Sequence, residues 1–183
     1  MRVRRLRLAT LLLGALLIAG CASAPRVSPV PLAPEVDLAR YMGDWYLIAH
    51  IPTFRDREAY NAVENYALNA DGTVAITYEN RQGGFEGPRK RMTPMAYVEP
   101  GSGNALWGVR FVWLQKFVLR GEYRIAHLEP DYSVVIVARS KLDYVWLFSR
   151  RAEMSEAELA RYTAIMAAWG YDTTKLLRVP QLR

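Results

Sequence analysis

From Trp45 onward, apolar and polar residues alternate in short runs. Val74, Ile76 and Tyr78 share one parity of the run Thr73–Asn80, and Trp107, Val109, Phe111 and Trp113 share one parity of Ala105–Trp113. Tyr123 and Ile125 do the same within Gly121–Leu128. A period of two in segments rich in Val, Ile, Tyr, Phe and Trp marks half-buried strands. Eight are predicted: Trp45–Ile51, Ala62–Leu68, Thr73–Asn80, Arg89–Glu99, Ala105–Trp113, Gly121–Leu128, Ser133–Ala138 and Tyr144–Ser149. Turn residues at Asn69–Gly72, Glu99–Asn104 and Glu129–Tyr132 separate several of them. Consecutive strands with short links predict an all-β fold, an up-and-down antiparallel meander of eight strands. Closing that meander into a barrel removes both exposed edges.

The period then changes to that of a helix. Leu159, Tyr162, Met166 and Trp169 fall on one face, Ser155 and Glu158 form a capping box, and Gly170 can end the helix. This stripe is expected to pack against the outside of the barrel. A partner-binding surface is the competing reading.

Ahead of the periodic region lies a different kind of sequence. Arg2, Arg4, Arg5 and Arg7 precede the apolar run Leu8–Gly20, which is short for a permanent membrane span and fits an export signal over residues 1–20. Leu17-Ile-Ala-Gly-Cys21 looks like a bacterial lipobox, so Cys21 is the expected lipidation site. A thioether-linked diacylglycerol with an N-acyl group such as palmitate anchors stably, at about 0.8 kcal/mol per buried methylene. Ser23 stands where an aspartate would favour the inner membrane, which implies the outer membrane, facing the periplasm. Residues 21–35, within the Pro-, Ala- and Ser-rich stretch Ala22–Val36, are expected to be a tether, with the folded domain spanning 36–183.

The leader also changes the charge argument. The chain has 24 Lys and Arg against 18 Asp and Glu; four arginines leave with the leader, so 20 face 18. The basic balance therefore gives no reason to expect a nucleic-acid partner. Cys21 is the sole cysteine, so no internal disulfide is available and packing alone must stabilise the domain.

Three blocks then make the chain similar to the lipocalin family, specifically its bacterial outer-membrane lipoprotein and apolipoprotein D-like branch. They are Gly43-Asp-Trp-Tyr46, Leu128-Glu-Pro-Asp-Tyr-Ser133 and Asp143-Tyr-Val-Trp-Leu-Phe-Ser-Arg150, in order and at suitable spacing. Gly170–Gln181 also resembles the tail of that branch. The resemblance implies that Trp45 plugs a closed barrel end, that Arg150 covers its indole face, and that Gly43 permits close backbone approach. Asp131 and Tyr132 belong to the matching turn, whose Pro130 stands where many relatives carry threonine. These blocks are expected to define the fold rather than run chemistry, and binding, the expected role, needs no catalytic residue and no cofactor.

The residues themselves carry no catalytic pattern: neither His50 nor His127 sits in a metal-binding motif, and no nucleophile elbow or phosphate loop occurs. An eight-stranded barrel can hold one small ligand. Tyr78, Trp107, Val109, Phe111, Trp113, Tyr123 and Ile125 are the candidates for an apolar, aromatic lining that suits an acyl chain; filling of the barrel by these same side chains remains the alternative. In a meander, loops alternate between the two ends. The loops of one end carry Arg55, Arg57, Arg81, Arg89, Lys116, Arg120, Arg139 and Lys141 against Asp56, Glu58, Glu86 and Asp143, and ordinary solvated loop charge is one reading of them. Arg81, Arg89, Lys116 and Arg139 are the candidates for a rim that holds a carboxylate or phosphate head. The expected function is a non-enzymatic, membrane-anchored carrier or store of a fatty acid or lysophospholipid. The alternatives are an enzyme acting on lipid and an envelope lipoprotein that docks a protein. The oligomeric state stays open, a homodimer included.

Overall fold

The computed structural model describes residues 29–54, 56–113 and 117–182. A short helix α1 (Leu38–Tyr41) leads into strands β1 (Gly43–Ile51), β2 (Ala59–Leu68), β3 (Val74–Gln82), β4 (Arg89–Met92), β5 (Met95–Val98), β6 (Leu106–Trp113), β7 (Phe117–Leu128), β8 (Val134–Ala138) and β9 (Val145–Ser149). Helix α2 (Glu156–Ala168) and a two-residue strand β10 (Leu177–Arg178) follow. Strands pair antiparallel with their sequence neighbours, and β1 pairs with β9 to close the barrel. Gly170–Gln181 therefore returns the chain to β1, where β10 pairs with Ala49 and His50.

The predicted single strand Arg89–Glu99 is two. β4 and β5 both pair with β3 and together form one stave of an eight-stave barrel. Pro94 lies between them, and proline has no N–H to give the ladder. Its carbonyl still accepts from Ile76 N at 3.0 Å, so the stave bends without leaving the sheet.

Inward and outward faces separate cleanly. Trp45, Leu47, Tyr66, Ile76, Trp107, Ile125, Val135, Val137 and Phe148 share the inner core. Ile48, Val134, Ile136 and Leu147 face outward beneath Tyr162 and Met166 of α2. This explains the unbroken apolar run Val134–Ala138: the interior covers one face and the helix the other. The predicted capping box forms, with Ser155 Oγ accepting from Glu158 N and the Glu158 carboxylate accepting from Ser155 N.

Two segments without periodic signal also pack. Val30, Ala33 and Val36, at the end of the expected tether, are buried, and Ala33 N donates to Ile125 O at 2.8 Å. Gly103 makes room for this segment, since a Cβ there would lie 2.4 Å from the Pro34 carbonyl oxygen. At the other terminus, Gln181 Nε2 bridges Leu47 O at 2.8 Å and Ala62 O at 3.0 Å, sealing the gap where β1 and β2 diverge. The expected signal segment and Cys21 lie outside the described residues.

Candidate ligand-binding cavity

The closed end is built first by the chain. Gly43 has φ +90°, and a Cβ there would sit 3.4 Å from Arg150 Nη1. The close approach lets the Arg150 guanidinium lie 3.9 Å from the centroid of the Trp45 ring. The same group donates to Asp44 O (2.7 Å), Arg40 O (2.9 Å), Tyr41 O (3.0 Å) and Met42 O (2.8 Å). Trp45 Nε1 donates to Tyr41 O at 2.8 Å. Around this floor, Asp131 Oδ1 accepts from Ser133 N and Oγ to set its turn. Tyr132 accepts at its hydroxyl from Asp37 N at 2.8 Å, and the Arg40 guanidinium lies 4.0 Å from its ring centroid.

Above the floor, Trp107 and Tyr123 stack with centroids 5.0 Å apart. The hydroxyls of Tyr41, Tyr123 and Tyr66 form a chain, at 2.8 Å between the first two and 2.5 Å between the last two. Burial holds all three phenols well above their ordinary titration range.

A cavity of about 320 Å³ begins at this layer and opens at the end of the barrel bearing the β1–β2 and β8–β9 loops. Ile76, Met92, Val109, Phe111, Trp146 and Phe148 supply its apolar wall. Its size is at the small end of ligand pockets, and its lining has their character of apolar walls with few polar groups. Of the expected lining residues, Tyr78, Val109, Phe111 and Tyr123 lie on this cavity. Trp107 and Ile125 are fully buried in the layer beneath it. The side chain of Trp113 lies outside the described residues.

The expected rim divides in the same way. Arg139 lines the cavity, as does Arg120 from β7. Arg139 pairs with Asp143 at 3.0 Å, yet among the described residues its buried Nε has no acceptor. Arg81 and Arg89 face away from the interior. Asn80, the inward neighbour of Arg81, is buried, so strand alternation turns Arg81 and its cross-strand partner Arg89 outward. There Arg89 pairs with Glu79 at 2.8 Å and Arg81 Nη1 donates to Gly87 O at 3.1 Å. Lys116 is outside the described residues.

Three acidic groups on the cavity were not singled out from sequence: Asp56, Glu64 and Glu122. Burial tends to raise Asp56, but neighbouring His50 and Thr53 outweigh it and hold the carboxyl below its ordinary range. The His50 ring nitrogen is 3.5 Å away and Thr53 Oγ1 donates at 2.6 Å. Glu122 is likewise held low against its burial by Ser140 and Arg124. Glu64 differs. Burial lifts its carboxyl to about 7, against the opposing hydrogen bond from Tyr66, and the charge of Asp56 adds to the rise. Glu64 is partly buried and lines the cavity. The sequence did carry a signal for it: Glu64 has the parity of Ala62 and Tyr66, both buried. Among the described residues, no cluster of three or more His, Cys, Asp or Glu could hold a metal ion.

Comparison with known proteins converges on one family. The model of the lipocalin-like domain matches residues 36–181. Temperature-induced lipocalin-1 of Arabidopsis thaliana is 30% identical over 154 residues, covering 80% of each chain. Outer membrane lipoprotein Blc of Escherichia coli strain K12 is 25% identical over 182 residues, covering 98% of each. Among solved structures, insecticyanin of the tobacco hornworm Manduca sexta superposes with a TM-score of 0.66 at 13% identity, over 87% of each chain. With the closed barrel, the Gly43–Trp45–Arg150 floor and the cavity above it, these matches place the chain in the lipocalin-like family.

Proposed function

We propose that this chain is a membrane-anchored lipid-binding protein that stores or carries a fatty acid or lysophospholipid in its barrel. The observation that carries the reading is the 320 Å³ apolar cavity with Arg120 and Arg139 at its opening. An acyl chain gains by leaving water for such walls, at roughly 25 cal/mol per Å² of apolar surface buried. A carboxylate or phosphate at the opening would take the unsatisfied Arg139 Nε and the Arg120 guanidinium as donors. Sequestration of this kind needs no catalytic residue and no cofactor; exchange occurs through the open end.

The anchor would be Cys21, at the outer membrane and facing the periplasm, supported by the lipobox and by likeness to relatives named outer membrane lipoproteins. A tethered cavity sees a raised effective concentration of membrane lipid.

The test compares a fatty acid with its neutral alcohol. In the double variant R120Q/R139Q, dodecanoic acid should bind about tenfold more weakly, the scale of one charge-assisted hydrogen bond, while dodecanol changes less than twofold. Calorimetry reads both. Equal losses for acid and alcohol would sink the head-group assignment, and failure of the wild type to bind either would sink the lipid reading.

A further inference from the structure

The cavity has a second polar point, deep on the wall and away from the arginines. Glu64 on β2 and Tyr78 on β3 are directly opposed Cα partners, and both line the cavity. Tyr78 is buried; among the described residues its hydroxyl makes no hydrogen bond of good geometry, the Asn80 side chain being its polar contact. Glu64 belongs to none of the ion pairs among the described residues. Its protein contact is the end of the tyrosine chain: each of Tyr41, Tyr123 and Tyr66 has one hydroxyl proton, and passing donation along the chain ends on the Glu64 carboxyl. A carboxylate accepts at about four positions, so the chain leaves most of them facing the cavity.

Groups in such a state are costly to bury, and the neighbouring carboxyls show the contrast. Asp56 has Thr53 and His50, and Glu122 has Arg124 at 2.9 Å and Ser140 Oγ at 2.5 Å. Among the described residues, Glu64 alone of the three has no basic partner. From β1 it meets Trp45, its Cα partner on that side, from β2 Tyr66, from β3 Tyr78, and from the β1–β2 loop the like charge of Asp56. The high titration of its carboxyl agrees with this lack of compensation. An acceptor on the cavity wall and a buried donor opposite it, both incomplete, are completed together by one group that donates and accepts. A hydroxyl does both. An ammonium only donates and would leave the Tyr78 proton unmatched.

We infer that Glu64 and Tyr78 form a recognition point for a hydroxyl group carried on the part of the lipid that enters the barrel, the hydroxyl donating to Glu64 and accepting from Tyr78. The inference rests on the lipid-binding reading and narrows its ligand class to hydroxylated acyl chains.

The test uses dodecanoic acid, the same acid hydroxylated at carbon 6, 9 or 12, and 12-aminododecanoic acid, titrated into wild type, E64L and Y78F. In the wild type, at least one hydroxy acid should bind five- to tenfold more tightly than dodecanoic acid and more tightly than the amino acid. E64L should reverse that order, with near-ultraviolet circular dichroism showing the fold intact. Y78F should erase most of the preference. Uniform preference for dodecanoic acid in the wild type, retention of the hydroxyl preference in E64L, or tighter binding of the amino acid would each overturn the inference alone. Failure to bind any probe would overturn the lipid reading with it.

Discussion

The closed floor and the cavity wall lie a few residues apart on the same strands, yet they treat polar groups in opposite ways. At the floor, one guanidinium meets four backbone carbonyls and an indole face, so Arg150 is compensated on every side. On the wall, Glu64 lines the cavity with no ion-pair partner among the described residues, opposite a Tyr78 hydroxyl that makes no hydrogen bond of good geometry. A polar group whose partners are all built in contributes to stability. One left incomplete in an enclosed site lowers stability and is compensated only when something binds. The contrast separates the part of the molecule that defines the fold from the part that chooses a ligand.

The largest expected effect comes from breaking the floor. Trp45→Ala removes a fully buried indole and its hydrogen bond to Tyr41 O, and should cost about 3–5 kcal/mol in urea denaturation. Arg150→Lys keeps the charge but loses the planar fork that reaches several carbonyls, and should cost about 2 kcal/mol. If both variants were within a few tenths of a kcal/mol of wild type, the floor would not be the stabilising region and the comparison would fail.

Next in size, and opposite in sign, is Glu64→Leu. In the unfolded chain Glu64 titrates near 4.5, and in the fold near 7. Below about 4.5 the carboxyl is neutral in both states. Between these values the unfolded chain gives up its proton while the folded one keeps it, so stability falls as pH rises; above about 7 the whole penalty is present. The shift corresponds to at most about 3 kcal/mol. E64L should therefore be more stable than wild type by up to about 3 kcal/mol at pH 8, with the extra gain from charge removal gone by pH 4. A constant difference across that range would mean that Glu64 is solvated like a surface carboxyl.

Strand alternation made most of the fold legible, and the same rule shows where the reading of the site went astray. Parity placed Tyr78, Val109, Phe111 and Tyr123 on the inner face, where they line the cavity. Parity cannot say how deep a residue sits, so Trp107 and Ile125 share the face but belong to the filled layer. The rim was assigned by loop position instead, and Arg81 and Arg89 then turned outward because Asn80 turns inward. Glu64 was visible as a carboxyl on an apolar parity; only the three-dimensional arrangement shows that Tyr78, distant in sequence, stands opposite it. In β1 the alternation itself breaks: a register shift between Leu47 and Ala49 changes parity there. β10 has two residues, too few for any period to register.

The smallest effect sharpens the comparison at the opening. Arg89 and Arg139 both belong to the mouth-side loops or their flanks, but Arg89 is an exposed outer-face residue, with its side chain 66% accessible and paired to Glu79. Exposed pairs of this kind contribute about 0.5 kcal/mol or less. R89Q should thus leave both stability and dodecanoic acid affinity within error of wild type. R139Q removes a cavity-lining cation with an unmatched Nε and should weaken the acid about threefold on its own. Calorimetric titration of the two single variants separates position from mere charge. If R89Q weakened the acid as much as R139Q, the attraction would be a diffuse field over the whole end of the barrel, and the distinction between a cavity that selects and a surface that merely carries charge would not hold there.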